Sequence, residues 1–239
     1  QFLSNETEQR KGVCYHKKDG RRISVIMPVH VLGNMCDMDR FMLLSKQYNL
    51  TVIEDSTEAL GSYYKGKHAG SFGLLGTFSY NGNKIITTGG GGMIVTNDET
   101  LAKKAKHLTT QAKSDPFEYV HDEIGYNYRL VNVAAAMGVA QMEQLPGFIK
   151  RKKEVMAFYK KALQGIGDIR FQEVNGDVNP NCWLPTIMTE KQKEVLKILN
   201  DNKMQSRPFW VPMNQLRMFA GDIFYNKTNQ SNYVYQRCL

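Results

Sequence analysis

The sequence predicts an α/β fold: a large domain on a mostly parallel sheet, followed by part of a smaller α+β domain. Three observations predict it. An apolar run, an amphipathic stretch and a β-branched run succeed one another within about thirty residues, the pattern of a βαβ unit, whose strands pair in parallel. Further short strands ending in polar residues follow, beside four consecutive glycines. Past residue 165 the segments shorten, punctuated by Gly165, Gly167, Gly176 and Pro180, which places a boundary between 1–165 and 166–239.

Residues 1–22 are polar and mixed and read as loop or hairpin. The run 23–29 (ISVIMPV) reads as a buried strand. Asp37 can cap a helix, because its carboxylate can accept from the free N–H groups of the first turn. Met38, Phe41, Met42, Leu44, Ser45 and Tyr48 follow at helical spacing, Asn49-Leu50 ends the helix, and 51–53 (TVI) is the next strand. Strands are expected at 77–80 and 93–96, and a helix opened by Asn97 or Asp98 over 99–110, then a loop over 111–130. Asn132 opens a helix that ends at Pro146, and Pro146 suits the first turn of a second helix reaching Gly165. A strand at 182–188 and a helix at 191–200 complete the pattern, and Trp210 is expected in the core or a lid.

Composition narrows the function. With 239 residues, 42% of them hydrophobic, the chain has ample material for a core and is not of the disordered class. Its longest apolar runs fall far short of the ~18–20 residues that cross a bilayer, and no signal segment opens it. Cys14, Cys36, Cys182 and Cys238 lack CxxC spacing, which argues against zinc or a redox dithiol and for reduced thiols in the cytoplasm. The net charge of +8 reads either as solvated helix faces (KKAK at 103–106, RKK at 151–153) or as attraction for an anionic substrate.

The chemistry gathers at the carboxyl ends of two strands, where open parallel sheets bind ligands. One ends at Asp55; the other ends at Ser79, with Lys84 just beyond. A carboxylate, a hydroxyl and a lysine at one crevice suit pyridoxal 5′-phosphate (PLP). The amine condenses with the aldehyde, the carboxylate keeps the pyridine nitrogen protonated and the hydroxyl donates to the phosphate. Spacing alone leaves blander readings open, with Asp55 a helix cap and Ser79 a satisfied strand hydroxyl. The glycines at 89–92 let backbone approach a flat ligand, but no Gly-Lys-Ser/Thr follows, so they are not a nucleotide P-loop.

The stretches 51–62 (TVIEDSTEALGS), 76–97 (GTFSYNGNKIITTGGGGMIVTN) and 125–145 (GYNYRLVNVAAAMGVAQMEQL) together resemble the DegT/DnrJ/EryC1/StrS family of PLP-dependent nucleotide-sugar aminotransferases. The likeness runs from about Ile23 to Trp210, and the block Ser-x4-Lys-x2-Thr-x-Gly-x-Gly-Gly is specific. The resemblance implies the aspartate-aminotransferase-like fold (PLP fold type I), a homodimer with shared active sites, and amino transfer from glutamate to a nucleotide-linked keto sugar. The products would serve surface-polysaccharide or glycoconjugate sugar biosynthesis. It implies Lys84 as Schiff-base lysine and proton shuttle, Asp55 at the pyridinium, Glu58 beside the ring near its hydroxyl, and Ser79 at the phosphate. Asn127 would reach the phosphate of the neighbouring subunit. Arg129 faces substrate or forms a structural salt bridge, and Glu58 is otherwise an exposed loop carboxylate. Asp55 followed by Glu58 resembles the subgroup acting on UDP-linked 4-keto-6-deoxy acetamido sugars. No metal is expected. His68, His107 and His121 match no family role and are expected at the surface or in loops.

The chain departs from the family at its start, where an upstream segment with a phosphate-binding Ser-Gly-Thr is missing, and at its end. It therefore reads as an internal fragment with an exposed sheet edge. Three other readings remain: a PLP sugar dehydratase of the same fold, in which histidine replaces the lysine; an incompetent or regulatory relative; and a basic nucleic-acid binder, for which no interleaving of basic and aromatic residues is present.

Overall fold

The computed structural model describes residues 1–115 and 117–239, so Pro116, within the expected 111–130 loop, lies outside the described residues. Two compact units partition the chain. The first comprises Gln1–Lys153 with Val174–Trp183, the second Glu154–Glu173 with Leu184–Leu239. Where the sequence suggests one boundary near 165, the chain passes between the units near 153, 173 and 183.

The first unit opens with helix α1 (Phe2–Glu6) and an antiparallel sheet of β1 (Thr7–Arg10), β2 (Val13–His16) and β3 (Arg22–Ile23). Its main sheet holds β4 (Val25–Ile26), β5 (Thr51–Asp55), β8 (Leu75–Ser79) and β9 (Gly92–Val95), in the order β4-β5-β8-β9. The pairs β4/β5 and β5/β8 are parallel and β8/β9 is antiparallel, the mostly parallel sheet expected. The expected strand over 23–29 is divided. Ile23 pairs in the first sheet, Val25 and Ile26 in the main one, and Pro28, which has no N–H for a ladder, separates them from the bridge Val29↔Asp55. A third sheet joins β6 (Tyr63–Tyr64), β7 (Lys67–His68) and β13 (Val178–Asn179). β10 (Lys113–Asp115) pairs with β11 (Val120–His121).

Helix α2 (Met38–Tyr48) connects β4 to β5. Asp37 caps it, its carboxylate accepting from Arg40 N–H at 3.1 Å, and Asn49 ends it in the left-handed region at φ 51°. The same Asp37 oxygen accepts from Tyr64 Oη at 3.2 Å. Asp37→Ala is expected to destabilise the protein by about 1 kcal/mol, read as a fall of roughly 2–4 °C in melting temperature. Met38 packs with Met35, Val52, Ala59, Tyr64, Ala69 and Val178 in one core cluster; Phe78, Tyr80 and Ile86 form a second. Gly92 is required by the sheet itself, since a Cβ there would lie 2.4 Å from the Phe78 carbonyl oxygen.

Helix α3 (Glu99–Thr109) is capped by Asp98, whose side chain accepts from Leu101 N–H. The two helices expected to meet at Pro146 are one, α4 (Asn132–Ala162), with Pro146 inside it. The proline removes a single rung of the helical ladder, a local loss that thirty further residues of helix absorb. In the second unit, β12 (Arg170–Phe171) pairs antiparallel with β14 (Ile187–Met188). The strand expected over 182–188 is confined to those last two residues. Gln192, at the start of α5 (Gln192–Asp201), donates to the carbonyls of Tyr235 and Cys238, which ties α5 to α6 (Gln230–Arg237). Trp210, expected in core or lid, is 52% exposed. No helix among the described residues is long and apolar enough to cross a membrane.

Candidate active site

The site grows from the ends of β5 and β8. Asp55 sits directly across from Thr77 in the parallel ladder. Cross-strand partners share a face and residues two apart on one strand share a face, so Asp55, Thr77 and Ser79 line one side of the sheet. Asp55 and Ser79 are then offset by one strand spacing and two residues, roughly 8 Å between backbones. The half-buried Asp55 is held in an Asx turn, its Oδ1 accepting from Thr57 N–H at 3.1 Å and Thr57 Oγ1 at 2.7 Å.

That turn leads to Glu58, which the structure brings to Lys84. Lys84 Nζ lies 3.6 Å from Glu58 Oε1, and both side chains are 14% exposed. Glu58 Oε2 accepts the backbone N–H of Leu32 at 2.7 Å. To present that N–H, Leu32 takes φ 59°, a left-handed conformation costly for a branched side chain. The Lys84 loop is a tight turn, with Lys84 N–H donating to Asn81 carbonyl at 3.0 Å and Asn81 N–H to Ser79 Oγ at 3.3 Å. Ser79, Lys84, Glu58 and Asp55 thus meet at one sheet edge. Asn127 and Arg129 do not join them. Both are exposed on the segment after α3, where Asn127 bridges Thr110 and Arg129 lines a separate cavity of about 1010 Å³ with Thr77, Met93, Ile94, Lys106 and Tyr128.

Sequence reasoning missed the groups beneath the site. Glu54 points opposite to Asp55 and is fully buried. Its carboxylate accepts from the N–H groups of Gly70, Phe72 and Gly73 at 2.6–2.9 Å and pairs with His30 Nε2 at 3.1 Å. Burial pushes this carboxyl upward, but the bonds from His30 and the three amides outweigh it and hold it below the ordinary carboxylate value. The alternation of β5 was the available signal. Trp183 and Asn181 carry no local signal. Asn181 donates to the carbonyls of Glu58 and Leu60, at 2.7 and 3.0 Å, and so fixes the Glu58 turn from 121–123 residues away. His68, expected at the surface or in a loop, is a half-buried strand residue that accepts Gly61 N–H at 2.9 Å. His107 pairs with Asp122 at 2.7 Å, and His121 is exposed.

Comparison with known proteins follows this geometry. A model of the DegT/DnrJ/EryC1/StrS aminotransferase family matches residues 18–239. GDP-perosamine synthase of Escherichia coli O157:H7 is 42% identical over 219 residues, 90% of this chain and 60% of that protein. The UDP-4-amino-4,6-dideoxy-N-acetyl-beta-L-altrosamine transaminase of Campylobacter jejuni (strain 81-176) is 38% identical over 149 residues, 62% of this chain and 40% of that protein. Among solved structures, DesV of S. venezuelae, in complex with a ketimine intermediate, superposes with a TM-score of 0.82 at 26% identity, covering 91% of this chain and 59% of that one. The chain spans about 40–60% of the length of these relatives.

Proposed function

The chain belongs to the DegT/DnrJ/EryC1/StrS aminotransferase family, and from that membership we propose that it carries the lysine-bearing part of a PLP-dependent aminotransferase. The reaction moves an amino group from glutamate to a nucleotide-linked keto sugar. The observation that supports this best is Lys84 against Glu58, at the strand ends that also carry Asp55 and Ser79.

The donor set fits PLP. It offers an amine for the aldehyde, a carboxylate for the pyridine nitrogen and a hydroxyl for the phosphate, three different chemistries along one sheet edge. When bound, the cofactor supplies an electron sink that makes a carbon-bound proton acidic. The residues do the rest. Asp55, fixed by Thr57, holds a negative charge at the end of β5 and keeps a facing ring nitrogen protonated. Ser79 orients an anionic group at the end of β8. Lys84 holds the cofactor until the donor arrives and then, as a free amine, carries a proton between substrate carbon and cofactor. Glu58, anchored by Leu32 N–H, positions that amine. Exposed Asn127 belongs, in this reading, to the neighbouring subunit's site in a cytoplasmic homodimer, and Arg129 to substrate.

The resemblance of Asp55–Glu58 favours UDP-linked sugars, whereas the relative with the larger matched share is named for a GDP-linked one. The reading therefore commits to a nucleotide-linked keto sugar and to no base. Full-length protein given PLP, [15N]glutamate and GDP- or UDP-linked 4-keto-6-deoxy sugars is expected to place the label in the sugar. Loss of water with no incorporation would show the dehydratase reaction instead, and salt-sensitive DNA binding without turnover would revive the nucleic-acid reading.

A further inference from the structure

We infer that Trp183 is the positioning residue for Lys84, parking its amine whenever that amine is not engaged. The inference rests on the reading of Lys84 as the cofactor lysine.

Trp183 touches the lysine turn at two points. Its indole N–H donates to the carbonyl of Asn83, the residue before Lys84, at 2.7 Å. Its ring lies under the amine, with Lys84 Nζ 4.1 Å from the ring centroid. That is well within the distance at which an aromatic face attracts an ammonium, and the attraction grows where water is excluded. The indole is 1% exposed and its backbone is fixed on both sides. Trp183 N–H donates to Asn181 Oδ1 at 2.9 Å, and the Trp183 carbonyl accepts from Lys152 Nζ at 3.0 Å. Asn181 in turn holds the Glu58 turn. One tryptophan thus sets the ring face, the turn and, through Asn181, the carboxylate that faces the same amine.

Chemistry explains why such a residue helps. A lysine that alternates between a covalent hold and free proton carriage needs a resting place with weak directional demands. A π-face binds an ammonium over a broad range of angles, so the amine leaves it without breaking a fixed hydrogen bond. The N–H to Asn83 meanwhile keeps the turn in place, so the side chain moves and the backbone does not.

The test uses full-length protein, first without cofactor. Acetic anhydride labelling of Lys84, read by peptide mass spectrometry against exposed Lys103, is expected to run at least about fivefold faster in Trp183→Leu, because the face covering the amine is gone. Trp183→Phe, which keeps a ring and loses the N–H, is expected within about twofold of the unmodified protein. Equal labelling in a Trp183→Leu protein that melts normally overturns the inference. Should Trp183→Leu fail to fold, Trp210→Phe leaves Trp183 as the single tryptophan, the sequence having two. Adding Lys84→Met is then expected to change Trp183 emission, and unchanged emission overturns the inference. Neither measurement uses PLP. In parallel, PLP is added to Lys84→Met protein: retention of the visible band of protein-bound PLP would instead overturn the aminotransferase reading and leave the labelling result standing.

Discussion

Replacing Lys84 by alanine is expected to lower amino transfer by at least about a thousandfold while leaving the fold intact, because one side chain supplies both the cofactor tether and the proton carrier. Removal costs little stability. The turn that presents Lys84 is closed by its backbone N–H to Asn81, which alanine keeps, and the ion pair lost is a single contact at 3.6 Å. The visible band of protein-bound PLP should vanish with the activity. Lys84→Arg separates charge from chemistry, since a guanidinium still pairs with Glu58 but stays protonated and does not serve as a nucleophile. It should therefore fold like the parent and be as inactive as Lys84→Ala. Amine incorporation within about tenfold of the parent in either variant would remove Lys84 from the chemistry.

Glu54→Gln is expected to be the most destabilising single-atom exchange in the first unit, by about 3 kcal/mol. The carboxylate accepts three backbone N–H groups and pairs with His30, all out of solvent. An amide turns one accepting oxygen into a donor aimed at donors, so at least one buried N–H loses its partner. The melting temperature should fall by roughly 6–12 °C. The pH dependence follows from the lowered native carboxyl value. A group whose native value lies below its ordinary 4.5 contributes stability that is complete above about 4.5 and disappears as pH falls through the native value. The gap between parent and Glu54→Gln should thus be constant near neutrality and close on acidification below about 4.5. Melting curves at stepped pH check this, and a gap that persists in acid would show that the carboxylate charge is not what the amides hold.

Local rules made part of this legible. The cap at Asp37, the stop at Asn49 and the cap at Asp98 are written in side chains that act within four residues, and they appear where the sequence places them. The parallel β4/β5 pair follows from a helix-length connection. Pro146 misled because first-turn preference is a tendency, while a long helix survives one missing donor. Glu54 was legible and overlooked: in a strand, the neighbour of an exposed-face acid is turned inward. Trp183 and Asn181 were not legible at all, since neither spacing nor propensity records a contact formed about a hundred residues away. The motif carried Lys84, Asp55, Glu58 and Ser79 as candidates without the tertiary parts that hold them.

The return of residues 174–183 to the first unit has a consequence for biogenesis. While the nascent chain emerges, the Lys84 turn precedes its clamp by a hundred positions, so at about 5–20 residues per second the ribosome delivers Trp183 some 5–20 seconds later. Until then β6 and β7 lack the edge strand that β13 later supplies. Vectorial synthesis alone therefore leaves the lysine turn unfinished, and its maturation waits for a segment made after most of α4.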